Sequence, residues 1–133
     1  MSNLSDYLEQ KLYDHTFRGT VFTSPGSVWV SAHTASPTDA GGGETTGTSY
    51  ARVYVAATTA AWSAHGTAGP GDNVAAITFP TAGGSWGTIT HVGIYDAVTS
   101  GNLLMWGALS ASKLISADDT LQIAAGALDI TFA

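Results

Sequence analysis

The chain contains no cysteine. Disulfide frameworks and thiolate metal sites are therefore excluded, and the redox compartment is left open. Charge is also scarce: 11% of the 133 residues are Asp, Glu, Lys or Arg, where an ordinary globular chain has about a quarter. The four basic residues, Lys11, Arg18, Arg52 and Lys113, are scattered. With no basic stripe and a net charge of −6, neither a nucleic acid backbone nor an anionic membrane is an expected partner. No apolar run approaches the roughly 18 residues that span a bilayer. The polar, acidic start MSNLSDYLEQ lacks the apolar core of a secretory signal, so none is expected.

Reactive motifs are missing as well. Neither G-x-S-x-G nor H-E-x-x-H occurs. Gly41, Gly42 and Gly43 form a glycine run, but no Lys-Ser/Thr pair follows and no strand-to-helix context surrounds it, so it is not a phosphate cradle. His15, His33, His65 and His91 show no metal-ligand spacing, and each reads as a structural or surface residue. Asp118-Asp119 and Asp96 lie at strand-to-strand connections, where an Asx turn is the default role. No catalytic residue, cofactor or metal site is expected. A nucleophilic triad assembled in space stays formally open.

What is present is sheet. At 133 residues the chain forms one domain, long enough to bury about two-thirds of its unfolded surface. The missing charge is replaced by Gly, Ala, Ser and Thr, which make a neutral, adhesive surface suited to packing against copies of itself or a large partner. Strands are expected to start near residues 27, 50, 74, 88, 102 and 121, from alternating runs such as SVWVSAHT and YARVYVAA between turn clusters. TLQIAAGALDITFA, at the end, is read as the last of them. Residues 35–49 and 65–73 read as polar, glycine-rich loops, the first of them exposed or reaching a neighbour.

Residues 3–18 are the one helix candidate. Leu4, Leu8 and Leu12 recur every four residues as a narrow apolar stripe. Asn3 is the expected N-cap and Gly19 the left-handed residue after the C-cap. The fold expectation is thus a mainly β domain over 1–133: an N-terminal helix over 3–18, then an antiparallel, jelly-roll-like β-sandwich over 27–133. Among the aromatics, Trp86 and Trp106 read as core, and Trp62, beside a Gly/Pro loop, as an interface or ligand residue.

The segments LSDYLEQKLYDHTFRG, SPGSVWVSAHTASPTDAG, SYARVYVA, AAITFPTAGGSWGTITHVGIYDA and GNLLMWGALSASKLISADDTLQIAAGALDITFA follow one another in order. Together they resemble a family of small tailed-bacteriophage virion proteins, labelled phage tail fiber proteins, some of which act as capsid decoration (cement) proteins. The block from Trp86 to Ala97 and the following G-N-L-L…G-A-L block carry the resemblance most specifically. Two stretches depart from the pattern: Ser31-Ala32-His33 is more polar, and residues 60–72 are more elaborate.

The resemblance implies a structural protein of the virion, made in the bacterial cytoplasm, with no catalytic residues to transfer. Capsid decoration is the leading expectation: a homo-oligomer, taken as a trimer, bridging major capsid subunits. A tail fibre or baseplate component is the alternative, and a carbohydrate-binding module using Trp62 the second. The expected contact residues are Leu4, Leu8 and Leu12, the glycines Gly41, Gly42 and Gly43 with their loop, and Trp62.

Overall fold

The computed structural model describes residues 3–67 and 69–132. It is mainly β and antiparallel, with a single short helix. The main sheet has five strands, in the order β1 (Asn3–Leu4), β6 (Leu103–Ile115), β5 (Gly87–Tyr95), β2 (Ser27–His33) and β3 (Val53–Ala56). A two-stranded ribbon, β4 (Ile77–Thr78) with β7 (Gln122–Ile123), forms the second layer.

Alternation sets the two faces of the main sheet. Val28, Val30 and Ala32 of β2, Val92 and Ile94 of β5, and Met105 of β6 point into the core. There they meet Ile77, Phe79, Trp86, Leu121, Ile123 and Leu128 from the ribbon and its flanking loops. The opposite face carries Trp29, Ser31 and His33, aligned with Tyr95, Gly93 and His91 of β5. Strand β6 bulges at residues 109–112: Ile89 pairs with Lys113 and His91 with Ala108, so four residues of β6 stand opposite Thr90.

The helix is shorter than its periodicity suggests. It runs over Asp6–Phe17, and Asn3 and Leu4 pair with Trp106 and Met105 as an edge strand instead. Ser5, not Asn3, is the N-cap. Its hydroxyl accepts from the Leu8 amide at 3.2 Å and donates to the Leu103 carbonyl. The local period was legible, but long-range pairing with β6 claims the first turn. At the other end Gly19 (φ +67°) reverses the chain as expected.

The expected final strand is also shorter. After Ile123 the chain leaves the ribbon in turns and bridges Gly71 through Ile130. Residues 60–65 form no strand; Trp62 makes an isolated bridge to Asn73. Asn73 is fully buried and holds this region together: its amide donates to the Ala75 and Ala124 carbonyls, and its Oδ1 accepts from the Leu128 amide.

Candidate functional site

The loop over residues 34–45 lies against the polar face of the sheet. Pro37 is fully buried, and the Trp106 indole donates to Asp39 at 3.0 Å. Gly41, Gly42 and Gly43 all have positive φ (+80°, +148° and +63°), a path side-chain-bearing residues rarely follow. A Cβ at Gly43 would sit 2.9 Å from the Ala35 carbonyl oxygen. The glycine run therefore serves an intramolecular path. Most of the loop is nonetheless exposed, as expected.

Under this loop lies a polar cluster. The His33 ring sits between Ser31 Oγ, 2.8 Å from Nε2, and the Gly42 carbonyl, 2.6 Å from Nδ1. A carbonyl only accepts, so Nδ1 carries the proton and Nε2 accepts from the Ser31 hydroxyl. The arrangement resembles the nucleophile–base half of a catalytic triad. Both residues are fully buried, however, so the hydroxyl meets no substrate. Burial holds the His33 pKa below its ordinary value; the hydrogen bond that the ring donates to the Gly42 carbonyl and the charge of Glu44 oppose it, and Arg52 and His91 reinforce it.

Beside His33, Arg52 forks onto Glu44, with Nε to Oε1 at 2.8 Å and Nη2 to Oε2 at 2.7 Å. Its Nη1 also donates to the Ala97 and Ser100 carbonyls at 2.8 Å, and the guanidinium stacks 3.6 Å from the Tyr95 ring centre. Burial pushes the Glu44 carboxyl up, but Arg52, Tyr50 and the neighbouring charges outweigh it and hold the group below its ordinary range. Tyr50 links this cluster to the core. Its hydroxyl donates to Glu44 and accepts from the Ala32 amide, while its ring packs edge-on to Trp86 and stacks on Phe79. Burial foremost, with the Glu44 carboxylate, raises its pKa. These groups satisfy one another and form a structural strap.

The accessible surface lies elsewhere. A cleft of about 600 Å³ opens between α1, the 24–25 turn and the loop after β3. Leu8, Val28, Trp62, Ile94, Leu104 and Ile130 form much of its apolar wall. It thus unites two of the expected contact residues, Leu8 and Trp62. The Trp62 indole N–H is engaged by the Ala56 carbonyl at 3.0 Å, which fixes the ring.

Leu4 is half-buried against the core, and Leu12 is 38% exposed farther along the helix. Leu4, Leu8 and Leu12 therefore do not form one helical stripe, since Leu4 belongs to β1. Beyond Leu12 the helix end presents Tyr13, Phe17 (74% exposed) and then Val21 (77% exposed). The Tyr13 and Phe17 rings pack 5.2 Å apart. The four-residue spacing of Tyr13 and Phe17 marks a second apolar face of the helix in the sequence, and Val21 follows beyond the Gly19 reversal.

Of the remaining residues, Trp86 is core as expected, whereas Trp106 is half-buried on the polar face and tethers the 34–45 loop. Asp96 accepts from the Asn102 amide and side chain, and Asp119 from the Ser116 amide, both closing turns. Among the described residues no three His, Asp or Glu side chains gather to hold a metal ion. No described helix is long and apolar enough to cross a membrane.

Comparison with known families gives a match over residues 3–131 to the family described as Podophage GP4 fiber I protein gp80. No curated protein matches the chain. The family match covers nearly the whole sequence, and the chain belongs to that family. It is a phage structural protein, associated with the virion.

Proposed function

We propose that the chain is a subunit of a fibre carried on a podophage particle, and that its work is adhesion rather than catalysis. Copies associate with one another and with neighbouring virion proteins through the α1 end and the cleft beside Trp62. The observation that carries this reading is the exposed, mutually packed pair Tyr13 and Phe17 at the helix end, with Val21 exposed just past Gly19, in a chain so poor in charge. Contiguous exposed apolar side chains mark an interaction site, whereas scattered ones are ordinary. The ionisable groups of Glu44, Arg52 and His33 are committed to one another and to backbone, which supports a non-enzymatic role. The fiber name of the matched family supports the fibre over the head.

Capsid decoration is the second reading, favoured by one observation. The fold is a single small globular unit around one core, a shape that suits a plate on a shell better than a shaft. In that role its partner is the major capsid protein, and many weak contacts act together through copy number.

Gold-labelled antibody against the chain, applied to intact particles, tests both. Labelling along appendages supports the fibre reading. Labelling distributed over the head overturns it in favour of decoration, and unlabelled particles overturn both.

A further inference from the structure

We infer that the apolar end of α1 from one copy inserts into the Trp62 cleft of a second copy, a heterologous contact between two different surfaces of the same chain. The inference rests on the self-association proposed above and names its interface. Three observations meet here. The cleft is walled by side chains of the core itself, Val28, Ile94, Leu104 and Met105, so an apolar insert entering it meets packed hydrocarbon. The chain carries an insert of matching chemistry. Phe17 and Val21 are about three-quarters exposed, and Tyr13 packs on Phe17. Aromatic side chains of this kind bury about 150–250 Å² each, so Tyr13 and Phe17 with Val21 supply a large part of the roughly 800 Å² per partner of a stable interface.

Charge agrees with this pairing. From residue 11 to residue 18 the chain carries Lys11 and Arg18 against a single carboxylate, Asp14, which pairs with Arg18 at 3.2 Å, in a chain whose net charge is −6. At the cleft, Ser63 in the wall is hydrogen-bonded to Asp72, at 2.7 Å between Oγ and Oδ1. A locally basic insert therefore approaches an acidic body, which favours encounter and orientation.

The two surfaces share one helix. Leu8 lines the cleft while Phe17 lies nine positions on, about 13 Å along the axis at 1.5 Å per residue. One copy cannot place its own rigid helix end in its own cleft. Each copy offers both an insert and a socket, so the contact propagates from copy to copy. Heterologous contacts close into rings or continue as filaments, according to the rotation between neighbours. Either outcome suits a fibre subunit.

The test uses the full chain in sedimentation velocity over a concentration series, with Phe17→Asp to spoil the insert and Ala64→Trp to fill the socket. Residues 17 and 64 are exposed, so both variants are expected to melt like the parent. Each variant weakens association about 30-fold or more, the loss of one interface hot spot. An equimolar mixture of the two then recovers a dimer and stops there, because one partner retains a sound socket and the other a sound insert. If Phe17→Asp abolishes association while Ala64→Trp leaves it intact, helix meets helix and the inference fails. If both variants associate as the parent does, the inference fails while the fibre reading stands.

Cross-linking supplies a second readout that needs no destabilising change. The chain has no cysteine, so a Phe17→Cys variant mixed with a Thr59→Cys variant forms a mixed disulfide only between copies. Rapid mixed-disulfide formation is expected. A rate no faster than that of a Leu114→Cys variant mixed with Thr59→Cys overturns the contact.

Discussion

Ser31 Oγ lies 2.8 Å from His33 Nε2, and both residues are completely buried beneath the Gly41–Gly43 run. In an open site this pair would be a polarised nucleophile. Here the same geometry fixes one tautomer of a neutral ring and anchors a loop. The ring keeps its proton on Nδ1 because the Gly42 carbonyl accepts it.

Nitrogen-detected NMR is therefore expected to show His33 as the Nδ1-protonated tautomer at neutral pH, with a titration below the ordinary value of 6.5. Stability follows with a definite sign. Above 6.5 the ring is neutral in both folded and unfolded chains and adds no pH dependence. As the pH falls below 6.5 the unfolded chain binds the proton first, so stability declines. Glu44, depressed below 4.5, adds a second loss as the pH falls through its folded value. Urea melts from about pH 7 down to about pH 2 check both stages. A ring found protonated at Nε2, or titrating above 6.5, contradicts the assignment.

Arg52 is the hinge of the polar strap, with its side chain 7% exposed and its donors spread over Glu44, Ala97 and Ser100. Removing it leaves a partly buried carboxylate and two carbonyls without their partner. Arg52→Ala is expected to cost about 3 kcal/mol in chemical denaturation. Arg52→Lys recovers little, because an ammonium reproduces neither the fork nor the stacking on Tyr95. A lysine variant as stable as the parent contradicts this account.

Gly93 faces Ser31 across the β2–β5 pair. A Cβ there would lie 2.7 Å from Ser31 Oγ, 2.9 Å from His33 Nε2 and 3.1 Å from Leu103 Cδ1. Gly93→Ala is expected to destabilise by about 1–3 kcal/mol through overpacking, and to disturb the His33 tautomer signal. Gly26→Ala, where a Cβ meets nothing within 4 Å, is the control and stays near the parent. Equal melts for the two variants would contradict the packing described.

Much of this was legible in the residues. The strands expected near 27, 88, 102 and 121 begin at Ser27, Gly87, Leu103 and Gln122, because alternation bounded by turn residues is a local property. The strands expected near 50 and 74 begin later, at Val53 and Ile77. Tyr50 and Arg52 precede the first of these and serve the strap instead.

What escaped was set by distant partners. Leu4 fits a helical repeat, yet β6 recruits it as a strand. The glycine run reads as part of an exposed or neighbour-seeking loop, and nothing in its pattern shows that the Gly42 carbonyl takes the His33 proton or that Gly43 passes close to Ala35 in the same loop. The cleft joins Leu8 to Trp62 across the fold, and no local period encodes that meeting.

The central claim is that this chain works as a many-copy adhesive part of the particle. Quantitative mass spectrometry of gradient-purified virions, with an isotope-labelled standard of the chain, measures it directly. The account predicts a fixed stoichiometry of several copies per particle that survives repeated banding. A chain that remains in the lysate and is absent from banded particles would contradict it.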